Sequence, residues 1–141
     1  MRRAAAIAAG IAAVGALALP AVTSAEPQFK KTSTVKVADD FYSPVDLNIK
    51  QNDTINWKWD PSNTNTHNVV LTKGPKGVKK GCPTKGKDAY SPLISKCNKS
   101  GSGAIGIKFK KKFDVAGKYD FICTIHPTQM TMEVVVKGKK K

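Results

Sequence analysis

An all-β fold, a Greek-key antiparallel β-sandwich of about seven strands, is the class this sequence predicts. Three observations carry that prediction. Apolar and polar residues alternate with the period of two that a half-buried strand imposes. β-Branched and aromatic residues concentrate in those runs, and turn residues interrupt them at short intervals. From residue 32 onward there is little helical periodicity.

The first strand is expected at residues 34–38, where Val35 and Val37 alternate with Thr34 and Lys36. Phe41 and Pro44 follow, and residues 45–50 alternate cleanly until Gln51-Asn52-Asp53 signals a turn. Residues 54–59 form a third strand with Ile55, Trp57 and Trp59 on one face. A polar loop at 60–66 leads to a fourth strand at 67–71. Residues 73–103 are irregular, and too long for an ordinary connection in a compact domain. Alternation resumes at 105–109, then after a turn at Gly117 in 119–123, and last in 132–136.

Residues 1–25 read as an export signal. Arg2 and Arg3 precede an Ala-rich apolar run at 4–19 that is short for a membrane span, and Pro20 breaks it. Thr23-Ser24-Ala25 supplies small residues, so cleavage is expected before Glu26; an uncleaved anchor is the alternative. The mature chain, 26–141, is then one domain with its core at about 32–137 and a basic tail at 138–141. It is expected in the periplasm or another extracytoplasmic or secreted location, with no membrane span.

Cleavage removes both arginines and lowers the formal net charge from +14 to +12. The charge gathers in lysine clusters at 79–80, 110–112 and 137–141. Nucleic-acid binding is disfavoured, because an exported chain without arginine lacks the residue that reads bases best. The lysines are better read as steering an acidic protein partner or contacting an anionic envelope surface.

Three cysteines in an oxidising compartment leave one over after pairing. Cys82 and Cys97 share one Gly/Lys/Pro-rich stretch and form the natural pair. A disulfide closing a loop of about 16 residues would contribute roughly 3 kcal/mol in the chain-entropy account. Cys123 remains, and it stands beside a histidine.

Cys123-Thr124-Ile125-His126, with Met130 shortly after, puts a thiolate, an imidazole and a thioether in one loop. The chain has two histidines, and the other, His67, heads the fourth expected strand. Two His, one Cys and a weak axial Met are the donors of a mononuclear type 1 copper site, one that binds both oxidation states. Taken singly, each has a bland reading as a hydrogen-bonded His, core Met or buried thiol. Zinc held by the three cysteines and His126 would leave His67 idle and lacks the close Cys pairing of structural zinc motifs.

The chain resembles a cupredoxin of the plastocyanin/amicyanin type over about residues 32–137. The resemblance is carried by Val37-Ala38-Asp39-Asp40-Phe41 with Pro44, by Asn52-Asp53-Thr54-Ile55-Asn56-Trp57 and by His67-Asn68-Val69. Gly117-Lys118-Tyr119 leading to Cys123-Thr124-Ile125-His126-Pro127 completes it. It implies a blue-copper electron carrier with His67, Cys123 and His126 as in-plane ligands and Met130 as the axial one. Asn68 is assigned a backbone N–H directed at the thiolate, and electrons are expected to pass through the exposed edge of His126. Three residues separate His126 from Met130, intermediate between the amicyanin and plastocyanin loops, and Met132 is the second axial candidate. The alternative function is copper storage or delivery with the same ligands. An enzyme is not expected, because four protein ligands leave no open coordination position and no acid/base cluster accompanies them. The binuclear copper domain of oxidases needs two loop cysteines, and multicopper oxidases need more histidines. The expected protein is a monomer that meets its redox partner transiently.

Overall fold

The computed structural model describes residues 30–81 and 97–139. The expected export signal at 1–25, Cys82 and Lys140-Lys141 lie outside the described residues, and with Cys82 the expected Cys82–Cys97 bond. Eight strands run in order: β1 (Thr32–Ala38), β2 (Phe41–Ser43), β3 (Asp46–Lys50), β4 (Thr54–Trp59), β5 (Val70–Lys73), β6 (Lys108–Lys112), β7 (Gly117–Ile122) and β8 (Thr131–Lys137). They form two four-stranded sheets, ordered β2-β1-β4-β6 and β3-β8-β7-β5.

The sandwich is the architecture expected, with two refinements. Phe41–Ser43 is an additional short strand. Each sheet is mixed: β1 pairs with β4, and β3 with β8, in parallel, while the other pairings are antiparallel. Alternation tells which face a residue takes but not which way a neighbouring strand runs, so the parallel pairs left no mark in the sequence.

Burial explains why these segments pair. Val35, Val37, Ile55, Trp57 and Phe109 from the first sheet meet Leu71, Tyr119, Phe121, Val134 and Val136 from the second. Trp57 is the hub, with ring centroids 4.9 Å from Phe109 and 5.4 Å from Phe121. Each such side chain buried stabilises the fold by roughly 1.5–3 kcal/mol in transfer terms.

Two strands are displaced from expectation. The fourth begins at Val70 instead of residue 67, and the next spans Lys108–Lys112 instead of 105–109. A Lys-Phe-Lys-Lys-Lys strand has weak intrinsic preference for extended structure; pairing with β4 determines it. It is an edge strand, and its lysines discourage strand addition from another molecule.

Candidate metal centre

The site lies at one end of the sandwich, where β7 leaves the second sheet and β8 returns. Ile122 and Thr131 are in register, so the intervening loop starts and ends at adjacent points. The Cys123 N–H donates to the Met130 carbonyl at 3.0 Å, and the Met130 N–H donates to the His126 carbonyl at 2.9 Å. These two bonds close the loop on itself and hold Cys123, His126 and Met130 together.

His67 arrives from the polar loop before β5. Its backbone exchanges two hydrogen bonds with Gly103, at 3.0 and 3.1 Å. The Gly103 carbonyl also accepts from Trp59 Nε1 at 3.1 Å, which ties His67 to the core. Part of the long irregular segment therefore buttresses the site.

The ligand atoms offered by His67, Cys123 and His126 lie within 4.8 Å of one another. Cys123 Sγ is 3.8 Å from His126 Nδ1, and the two imidazole centroids are 5.1 Å apart. His67, Cys123 and Met130 are fully buried, whereas the His126 side chain keeps 22 % of its surface exposed. Met132 sits within β8 opposite Phe121, as a strand residue.

Asn68 is a cross-brace. Its carboxamide oxygen accepts from the Thr124 N–H at 2.9 Å, and its nitrogen donates to Thr124 Oγ1 at 2.8 Å and Ser102 Oγ at 3.1 Å. The Tyr42 hydroxyl donates to the Asn68 carbonyl. Burial, and secondarily the nearby Cys123, push that hydroxyl well above the usual phenol range, so it stays a donor.

The chain matches the family of copper-binding proteins of the plastocyanin/azurin type over residues 30–137. It belongs to that family. Among relatives, the chain is 31 % identical to amicyanin-alpha of Methylorubrum extorquens over 133 residues, covering 92 % of each chain. Among solved structures, it is similar to a reduced proline-to-phenylalanine variant of amicyanin, with 27 % identity and a TM-score of 0.52. That match covers 74 % of this chain and 80 % of the other. A reduced Cu(I) form of a proline-to-glycine amicyanin variant at pH 4 matches at 25 % identity and a TM-score of 0.52, covering 80 % and 88 %.

The residues of this cupredoxin fit a copper ion on their own geometry. His67 Nδ1 is buried without a hydrogen-bond partner. A polar atom left so is costly, unless a metal fills the place of the missing partner. Its other nitrogen, Nε2, lies 2.9 Å from Asp39 Oδ1. That carboxylate also accepts from Thr64 N and Oγ1 and from Asn65 N. The His67 bond above all, and then the Thr64 donor, hold the Asp39 carboxyl far below the usual range. Asp39 is thus an ionised acceptor to which Nε2 can donate, which leaves Nδ1 as the nitrogen available to a metal. Asp40, the next residue, has Oδ1 3.4 Å from His126 Nε2.

Asp39 is the functional residue that reading the residues did not single out. Its own segment reads as a strand end and a turn, and the contact to His67 spans 28 positions. An Asp pair opening a turn has ordinary local explanations, so the segment carries the family resemblance without marking Asp39 as a partner of His67.

Proposed function

We infer that this chain is an exported blue-copper electron carrier, cycling one electron through a mononuclear site without making or breaking bonds in a substrate. The observation that carries this reading is the convergence of two imidazoles and one thiol around an unpartnered, buried His67 Nδ1.

His67, Cys123 and His126, with Met130 from the same loop, would hold a copper ion. Bound there, copper would supply the one-electron Cu(II)/Cu(I) couple that such a carrier needs. The protein contributes stiffness. The loop hydrogen bonds, the Asn68–Thr124 brace and the burial of three of the four side chains hold the donors in one arrangement, and a fixed, dry surround limits rearrangement when the charge changes.

His126 offers the route in and out. It is the member of the trio with exposed surface, and Ile125 beside it is 45 % exposed. Phe41, at the start of β2 beside Asp40, and Ile105, two residues beyond Gly103, are further exposed apolar residues. A small apolar contact ringed by polar groups suits a weak, short-lived encounter with an acidic redox partner. The protein acts as a monomer in the periplasm or an equivalent extracytoplasmic space, in line with the Arg-led apolar segment at its start.

The test is spectroscopic and electrochemical. The copper-loaded protein should show an intense visible thiolate-to-copper band and a reversible one-electron midpoint. Cys123→Ser should lose the band while keeping the fold. A coloured Ser variant would refute the assignment of Cys123. Rapid loss of copper to a chelator with no reversible couple would favour storage or delivery.

A further inference from the structure

β1, β4 and β6 lie side by side and bury Val35, Trp57 and Phe109 on one face. The period of two puts Lys36, Lys58, Lys108, Lys110 and Lys112 on the opposite face. Register aligns three of them in a row: Lys36 stands opposite Lys58, and Lys58 opposite Lys108. Lys110 and Lys112 continue along β6, facing Asn56 and Thr54.

Asp60 pairs with Lys36. Among the described residues, no carboxylate pairs with the other four. Like charges directly opposite on a sheet are destabilising, so sheet stability does not explain the row. The outer face of the second sheet is of mixed sign, with Lys118 paired to Glu133 and Asp46 and Asp120 close by. That second face sets Lys50, Lys73, Lys118 and Lys137 against Asp46, Asp120 and Glu133, so the larger excess of positive charge lies on the first sheet.

This side adjoins the metal centre. β1 and β4 run toward the site end, and Ala38 is followed at once by Asp39. The Lys36-Lys58-Lys108 row is thus the part of the face nearest the site. Phe41 is in register with Ala38, projects on the same side as Lys36 and is 46 % exposed. Asp40, just before it, is the residue at His126 Nε2. Asp40 and Phe41 therefore link the His126 edge to the strand that carries Lys36.

We propose that the outer face of the first sheet, centred on Lys58, Lys108 and Lys110 with Phe41 at its margin, docks a carboxylate-rich protein partner. The proposal rests on the electron-carrier reading and states from which side that partner approaches. The chemistry selects an acidic protein. Lysines rooted on strands about 5 Å apart, and about 7 Å apart along each strand, present ammonium groups as hydrated point charges without the planar fork that grips phosphate. Such contacts speed the encounter without making it long-lived, and Phe41 adds an apolar contact that a purely charged polymer has no use for.

The test is an amide NMR titration of the Cu(I) protein with poly-L-glutamate, beside vesicles of phosphatidylglycerol. Shifts should concentrate on β1, β4 and β6. The triple variant Lys58→Gln, Lys108→Gln, Lys110→Gln should bind poly-L-glutamate about tenfold more weakly at low salt, and the difference should vanish at high salt. The control triple Lys50→Gln, Lys73→Gln, Lys137→Gln removes equal charge from the second sheet and should change binding less than about twofold. Equal weakening by both triples would overturn the proposal. So would shifts gathered elsewhere, or binding through this face to the vesicles alone. The reversible copper couple of every variant is measured alongside. A wild-type protein without that couple would sink the electron-carrier reading, whereas an unchanged couple with unlocalised binding would sink the docking face alone.

Discussion

Asp39 Oδ1 lies 2.9 Å from His67 Nε2, and this contact decides which ring nitrogen faces Cys123. Three donors from residues 64 and 65 hold the carboxylate in place, so it orients the imidazole instead of following it. The β1–β2 turn thereby sets up a ligand on a distant segment before any metal arrives.

Replacing Asp39 separates its two effects. Asp39→Asn keeps an oxygen that can accept from Nε2–H but removes the negative charge. Copper should stay bound, and the midpoint potential should rise, because a nearby anion favours the more highly charged Cu(II). Asp39→Ala removes charge and acceptor together, and copper affinity should fall about 10- to 100-fold, the usual cost of losing such a support. Competition with a chelator measures the affinity and voltammetry the potential. Equal affinity in Asp39→Ala would show that the loop alone orients His67.

The strands that bury aromatic and β-branched residues were legible because alternation reports burial directly. Ile55, Trp57 and Trp59 are expected on one face and are all buried. β6 was not, since Lys110, Lys111 and Lys112 carry no such signal and take their register from β4. The His67-Cys123-His126 trio could be anticipated because the donor types are rare and chemically specific. The supports could not: Asp39, Gly103 and Ser102 are common residues whose partners lie far away in the chain. Donor chemistry is written in residue identity, while positioning is written in tertiary contacts.

Asn68→Ala should loosen the ligand loop. The carboxamide satisfies the Thr124 N–H and hydroxyl and reaches Ser102 at the same time. Removing it takes the acceptor from the Thr124 N–H at the edge of solvent, at a cost of about 1 kcal/mol in chemical denaturation. The copper spectrum should broaden, since Cys123 is the neighbour of Thr124. A wild-type spectrum with wild-type stability would show that the brace is dispensable.

Gly117→Ala should be among the more damaging small substitutions outside the site. Gly117 has φ 138°, a region that side-chain-bearing residues rarely adopt, and an added Cβ would stand 2.6 Å from Pro75 Cγ. Strain and clash together predict a loss of about 2–3 kcal/mol. Thermal melting would show it. An unshifted melting temperature would mean that the start of β7 relaxes freely.

Lys111 is the one lysine of β6 that points inward, in register with Ile55, and it is only 7 % exposed. Burial lowers its pKa below the ordinary 10.5, the nearby Asp114 only partly opposing this. The folded chain therefore holds that proton less readily than the unfolded chain. The resulting penalty is complete at pH below the lowered value and disappears above 10.5. The Lys111 ammonium also lies 5.4 Å from the Phe113 ring centre, a cation–π contact that returns part of the cost. Lys111→Met should stabilise the protein by about 1 kcal/mol at neutral pH. That gain should shrink as pH rises through the interval between the two values. The same change strips an inward charge from an edge strand, so the variant should self-associate at concentrations where the wild type does not. Denaturation at pH 7 and near pH 10.5, with sedimentation alongside, checks both parts. A gain that is constant across pH would show that shape, not charge, is what the methionine improves.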